Sequence, residues 1–510
     1  MKQTIFERFP MAYPFYVLAV VSIGYVLGEL GHYLIGATSR AVATDLHYGD
    51  IACQLNSTEF HLNQLPVQCS SANSSEVCLS LELNGTKYCD WSYNGLGLDY
   101  QILAGPAFIA VFTIMGVAIG FAADKFKRVR MLTICTIVFS IAMILTGTVT
   151  EYWQLVVLRM ILAAGESGCN PLATGLLTDI FPEEKRALVM SIFNWGIYGG
   201  YGLAFPVGRY IPQLNFFNAG WRVTYYGAGV IALIVGFITW LTLKEPPRQA
   251  IGETANNQSE KKVTIWRVIK DPRIIMLCVA ASIRHCGGMC FAYNCDLYYR
   301  QYFPDYDLGW WLFAVTVGIG SVGVVAGGII SDKFVAKMGI RSRVMVLAVS
   351  QIIATPTAFG SVYFTPTWAM VSLGVSYIFA EMWFGILFAI LVEIVPLKVR
   401  STTVGVFLFF MNNIGGNLPI LVEPVSKAIG YRESLYIFYA GFYGISSILF
   451  LFTLCLMEGP KPADVPATMP NKHLSGVDNV VFTTADERGL PTITSMVSNT
   501  RRPTLRDSRM

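Results

Sequence analysis

The sequence predicts an all-α membrane protein with twelve transmembrane helices in two pseudo-symmetric six-helix halves. Composition, apolar windows and a repeated motif carry that expectation. Of 510 residues, 54% are hydrophobic and 14% charged, and the mean hydropathy is +0.51, which excludes an ordinary soluble protein. Windows of about 20 apolar residues, the length needed to cross a bilayer as helix, fall at 15–38, 100–123, 131–150, 152–177, 187–212, 221–243, 273–295, 308–331, 344–364, 367–392, 401–422 and 434–457. A membrane barrel would instead show short alternating strands, and these runs are continuously apolar. The motif reads Gly120-Phe-Ala-Ala-Asp124-Lys125-Phe and again Gly328-Ile-Ile-Ser-Asp332-Lys333-Phe, 208 residues later. A second pair, Asp179-Ile-Phe-Pro182 through Arg186 and Glu393-Ile-Val-Pro396 through Arg400, repeats at 214 residues. Two landmarks repeated in register indicate internal duplication.

In chain order, residues 1–14 form a short lead, 15–243 the first six-span half, 244–272 a polar linker, 273–457 the second half, and 458–510 a hydrophilic tail. The tail, opened by Pro460 and Pro462 and rich in Ser and Thr, is expected to be disordered. The first apolar run lacks a small-residue cleavage site and so reads as a retained span. Basic residues collect in alternate connections: Lys125, Lys127, Arg128 and Arg130; Lys185 and Arg186; the linker; Lys333, Lys337, Arg341 and Arg343; Lys398 and Arg400. The positive-inside bias places both termini and both motifs in the cytoplasm. Each basic cluster abuts a span, which argues against nucleic acid as a partner.

The connection at 45–99 is far longer than the others. It holds three glycosylation sequons, at Asn56, Asn73 and Asn84, and four cysteines, Cys53, Cys69, Cys78 and Cys89. That combination suits an extracellular or lumenal loop with disulfides. Four cysteines allow three connectivities, and the spacing chooses none.

Ionisable residues inside spans are costly and therefore informative. Span 1 carries Glu29 and His32, span 4 Arg159 and Glu166, span 7 Arg284 and His285, and span 10 Glu381. This period of three is what a central cavity between two repeats requires. Glu29 and His32, three apart, share a helical face and suit a proton relay. Arg159 and Glu166 share a face too, as a structural ion pair or as substrate-coupling groups. Arg284 has no acidic neighbour mid-helix, so a substrate anion or a Glu from the other half is its expected partner. His285 points away and suits packing. Tyr25, Tyr33, Tyr293 and Asn294 fall on the same spans, as cavity lining or as packing. Metal-ligand spacing, a phosphate-binding glycine loop and a nucleophile elbow are all missing, so neither an enzyme, a cofactor nor a resident metal is expected. Without a nucleotide site, transport runs on a gradient or by exchange.

Gly120, Asp124, Lys125, Arg128 and Arg130 resemble the loop signature of the major facilitator superfamily, and Gly328, Asp332, Lys333 and Arg341 its second copy. The likeness spans all twelve helices. Lys127 stands where most members have glycine, a departure shared by Spinster-like transporters. Arg159, Gly165-Glu166, Asp179, Arg186, Glu381, Glu393, Val395-Pro396 and Arg400 are similar to that branch. The resemblance implies a rocker-switch transporter, a monomer without cofactor, moving a lysophospholipid or sphingoid lipid with protons across the plasma or lysosomal membrane. A small organic solute is the alternative, and a non-transporting receptor a third. Asp124, Lys125, Arg128, Asp179, Arg186, Asp332, Lys333, Glu393 and Arg400 are then gate residues. The branch carries an Asp-Arg pair in span 1, but Ile35 and Gly36 occupy the matching positions here. Glu29 and His32 are candidates to replace it. The long glycosylated loop is also atypical of the branch.

Overall fold

Helix occupies most of each of the twelve windows in the computed structural model, which describes residues 12–55, 69, 72–83, 85–123, 126–181, 183–246, 268–395 and 400–457. Within it the side chains at 183–188, 191, 336–338, 392 and 400–402 are left aside. Asp124, Lys125, Asn56, Asn84, most of the linker and the tail therefore lie outside the described residues, as do the side chains of Arg186 and Arg400. Among the described residues, ten helical spans, from Ala12–Leu46 to Tyr431–Leu456, are long and apolar enough to cross a membrane. The other two windows hold span 4, Tyr152–Glu166 continued by Cys169–Ile180, and span 5, Glu183–Gln213.

Spans 1 and 5 pack together along their length. Glycine makes the close approach possible: a Cβ on Gly200 would lie 2.4 Å from the Glu29 Cβ and 2.6 Å from the Val26 carbonyl oxygen. Small residues at crossing points are how membrane helices gain packing contact where burial alone drives little association. Span 5 also carries Pro206 and Pro212, whose missing donors are tolerated because neighbouring helices shield the freed carbonyls.

Two spans break at matching points. In span 4 the first helix ends at Glu166 and the next starts at Cys169. In span 10, Pro366–Ala380 is C-capped by Glu381 and the chain resumes as Trp383–Ile394. Each break sets a carboxylate at mid-depth, where a continuous helix would aim it by rotation alone.

The long connection folds into two small antiparallel ribbons. Strand β1 (Ile51–Leu55) pairs with β4 (Cys89–Tyr93), and β2 (Glu82–Leu83) with β3 (Thr86–Lys87). The structure joins Cys53 to Cys78 and Cys69 to Cys89, one of the three connectivities the sequence allows. Asn73 is exposed on this loop.

At the end bearing residues 12 and 457, short ion networks brace each half. Arg128 donates to Asp179 at 2.5 Å and to the Gly175 carbonyl at 2.9 Å. The Glu245 carboxylate accepts from the Arg128 and Val129 amides, both at 2.9 Å, so an anion sits on the helix N-terminus of span 3. In the second half Arg343 donates to Asp332 at 2.8 Å and to Glu393 at 2.9 Å. Arg343, not Arg341, thus holds the second motif's aspartate.

Side-chain bonds between the halves lie elsewhere. Among the described residues they fall at mid-depth, such as Asn413 to Thr113 at 2.9 Å, or toward the end bearing the long loop. There Arg209 reaches Asp307 at 2.9 Å and Asp296 at 3.6 Å, Arg300 donates to the Ala37 carbonyl at 3.1 Å, and Lys427 pairs with Asp50 at 3.2 Å. Charged pairs of this kind close the loop end.

Candidate functional site

The mid-span charges separate into two clusters, one in each half. In the first half, spans 1 and 4 bring Glu29, His32 and Glu166 together, with one ligand atom of each within 4.8 Å of the others. All three are buried: Glu29 6% exposed, His32 6% and Glu166 1%. His32 Nδ1 faces Glu29 Oε2 at 3.7 Å. Its Nε2 lies 3.2 Å from the Tyr293 hydroxyl of span 7, and its ring stacks on Phe108 at 3.8 Å between centroids. The ring is thereby fixed with one nitrogen toward the carboxylates.

Arg159 does not pair with Glu166. Its guanidinium donates instead to three backbone carbonyls, Leu103 at 3.1 Å, Gly31 at 2.9 Å and His32 at 2.5 Å, and sits 4.5 Å over the Phe108 ring. Both Glu166 carboxylate oxygens consequently have no hydrogen-bond partner. The shared face read from a seven-residue spacing was correct as geometry, but three carbonyls from spans 1 and 2 outcompeted the carboxylate. An unsatisfied buried polar group is costly, and here both oxygens of one carboxylate lack a partner.

In the second half Arg284 does have an acidic partner. It donates to Glu381 at 3.3 Å, to the Ala380 carbonyl at 2.7 Å and to Gln351 at 3.3 Å. Its guanidinium lies 4.4 Å over Trp383 and 4.7 Å over Tyr443. The expected cross-half Glu is thus corrected: Glu381 belongs to the same half, and the cross-half contact comes from Tyr198, which donates to Glu381 at 2.9 Å. The Glu381 side chain remains 14% exposed, unlike Glu166. His285 packs beside Trp383 and beneath Gly415.

The weaker candidates divide. Tyr33 stacks on His32 and leans on Tyr201, with ring centroids 4.6 Å apart. Tyr25 stacks on Phe193 and accepts from Asn170 at 3.2 Å. Asn294 is fully buried and held by Gln101, Tyr431 and the Cys290 carbonyl, which is a packing role. Gln351, Tyr198 and Glu245 carry no sequence signal of their own, and Arg343 stood out only as one of a basic cluster; the fold reveals their partners. Between the clusters lie aromatic rings from both halves, including Tyr33, Tyr201, Tyr293 and Tyr377. A bundle with charged groups at mid-depth, aromatic surface between them and ion pairs at its ends is the build of a membrane transporter.

The chain belongs to the Major Facilitator Superfamily, whose family model matches residues 21–418. Among curated proteins it is 26% identical over 412 residues to the Probable sulfoacetate transporter SauU of Cupriavidus necator, covering 74% of this chain and 89% of that protein. It is 22% identical to the hexuronate transporter of Bacillus subtilis, covering 71% of this chain and 86% of that one. With Protein spinster homolog 1 of Rattus norvegicus it shares 25% identity over 171 residues, about a third of each chain. In fold it resembles a bacterial homolog of the human lysosomal transporter Spinster, solved in an inward-facing, unoccupied conformation, at TM-score 0.68 and 19% identity over 89% of this chain and 99% of that one. The superfamily and the likeness to Spinster both agree with the motifs.

Proposed function

We propose that this protein is a proton-coupled, alternating-access transporter of an amphipathic solute with an anionic head, such as a lysophospholipid or sphingoid lipid phosphate. The observation that carries this reading is Arg284. Its guanidinium is held between the Trp383 and Tyr443 rings and shares Glu381 with Tyr198 of the other half. An incoming phosphate or carboxylate competes with Glu381 for the guanidinium, and bidentate geometry favours the planar fork. The aromatic surface between the clusters accepts the apolar body. Displaced Glu381 then takes a proton, which links solute binding to the gradient. Glu29, His32 and Glu166 form the second coupling group, one that a change in access wets and dries.

The remaining assignments follow the same reading. Both termini and the networks around Arg128, Asp179, Asp332, Lys333 and Glu393 face the cytoplasm, where Asp124, Lys125, Arg186 and Arg400 complete the gate. Gly120 and Gly328 give the motif helices room there. Asn56, Asn73 and Asn84 carry glycans, and the protein works as a monomer in the plasma or lysosomal membrane. A second reading, a small organic anion, is favoured by the two relatives that cover most of the chain, named for sulfoacetate and hexuronate transport.

The test is uptake by proteoliposomes with and without a pH gradient, offering a lysophospholipid and a hexuronate in parallel. Wild type and Glu166→Gln are compared. Uptake of neither solute, or gradient-independent uptake in both proteins, overturns the respective part of the proposal.

A further inference from the structure

The Glu29–His32–Glu166 cluster brings two carboxylates and one imidazole together inside the bundle, each residue at least 94% buried. The nearest guanidinium, Arg159, is committed to carbonyls. Both Glu166 oxygens are bare. The Tyr25 hydroxyl donates to Glu29 from the same span, and Cys169 follows Glu166 across the helix break. A convergence of this kind is stable in a low dielectric only when the carboxylates are neutralised, by protons or by a bound cation.

His32 decides which occupant the geometry suits. Its Nε2 is engaged by the Tyr293 hydroxyl at 3.2 Å, so Nδ1 is turned toward the carboxylates. Metal-bound histidines are held in this way, with one nitrogen on the ion and the other anchored by an outer partner. Gly28 adds room, since a Cβ there would press on Glu166 at 3.1 Å from its Cγ. Two carboxylate oxygens with one imidazole nitrogen form a borderline donor set that suits Zn²⁺, Mn²⁺, Fe²⁺ or Co²⁺ better than Na⁺ or Ca²⁺, which take larger all-oxygen shells.

We propose that Glu29, His32 and Glu166 form a binding site for a divalent first-row transition-metal ion. The ion takes Nδ1 of His32 and one oxygen from each carboxylate. It competes with protons for the same lone pairs. The site lies in the first half, apart from the Arg284 cluster, so metal occupancy regulates coupling without touching the solute's anchor. Only that regulatory consequence rests on the proton-coupled reading; the binding itself is measured with no transport.

The experiment titrates Co²⁺ into purified full-length protein in detergent and follows the visible absorption. One ion per chain is expected, with d–d bands of nitrogen and oxygen ligation. Glu166→Gln is expected to weaken binding about tenfold or more, the loss that even an outer-shell partner commonly causes. Glu76→Gln, on the exposed loop helix, serves as the control and keeps full affinity. In parallel, Zn²⁺ raises the unfolding temperature of wild type but not of Glu166→Gln or His32→Asn. A thiolate-to-cobalt band in the near ultraviolet would assign the metal to the free cysteines and overturn the proposal. So would stoichiometric binding unchanged in the folded Glu166→Gln protein, or no binding by wild type. If binding stands while uptake proves independent of protons, the metal site survives and the coupling reading fails.

Discussion

Tyr198 of span 5 donates its hydroxyl to Glu381 of span 10 at 2.9 Å, and that bond joins the two halves at the depth where Arg284 is held. One carboxylate therefore reports to both sides of the transporter. Tyr198→Phe removes a hydrogen bond to a charged group, worth about 1.5–3 kcal/mol. It is expected to leave Arg284 paired while loosening the contact between halves. Uptake kinetics would show a changed maximal rate with little change in apparent affinity. Arg284→Gln is expected to do the reverse and raise the half-saturating concentration about tenfold or more, the loss of a charge-assisted contact. Identical kinetic signatures from the two variants would sink this separation.

The first-half cluster separates stability from activity. Arg159→Ala removes three buried hydrogen bonds to backbone carbonyls and the cation from the Phe108 ring. A loss on the order of 3 kcal/mol is expected from those three bonds at about 1 kcal/mol each. Glu166→Gln removes a carboxylate with no hydrogen-bond partner, so its unfolding temperature is expected to equal or exceed that of wild type. Thermal unfolding in detergent checks the order. Glu166→Gln unfolding below Arg159→Ala would contradict the geometry.

Packing between spans 1 and 5 gives a purely steric prediction. At Gly200 an added methyl meets the Glu29 Cβ and two backbone atoms, Val26 O and Leu30 N, within 2.7 Å. Overpacking of this kind costs about 1–3 kcal/mol. Gly200→Ala is therefore expected to unfold earlier than wild type, whereas Gly227→Ala, where nothing lies within 4 Å, is not. Equal stabilities would mean the two helices separate easily.

Closure of the loop end depends on Arg209, which bridges to Asp296 and Asp307 of the other half. Arg209→Gln removes the shared cation and is expected to shift the population toward opening at that end. Spin labels at the exposed positions 44 and 306 should report a longer, broader distance distribution in the variant. An unchanged distribution would place the closing energy elsewhere, in the Arg300 and Lys427 contacts.

Most of the architecture was legible in the sequence because bilayer thickness converts directly into apolar length. The window at 273–295 sits within the helix Pro272–Tyr302, and the one at 344–364 overlaps Ile340–Tyr363 to within one residue of its end. Charges in spans 1, 4, 7 and 10 were legible for the same reason, since an ionisable residue stands out in an apolar run. Partnership was not. Arg159 and Glu166 share a face yet do not meet, because the arginine's reach allowed three carbonyls on other spans to claim it. Arg284 and Glu381 are 97 residues apart, and nothing local announces such a pair. Arg343 lies two residues past the position the motif suggests, and helix geometry, not motif spacing, selects it to hold Asp332. The pairing of the four loop cysteines joins residues 25 and 20 apart, which apolar periodicity does not encode.

Glu166 and Glu381 sit at matching helix breaks, 215 residues apart, yet one is bare and the other is held by an arginine and a tyrosine. Duplicated positions that have drifted so far apart chemically no longer constrain each other. A change of cargo can be made around span 10 while span 4 keeps its ionic chemistry, and the reverse holds too. If the solute is held around span 10 and the proton around span 4, as proposed, such a chain can acquire a new solute by a few substitutions in one copy, with the energy source inherited intact from the other.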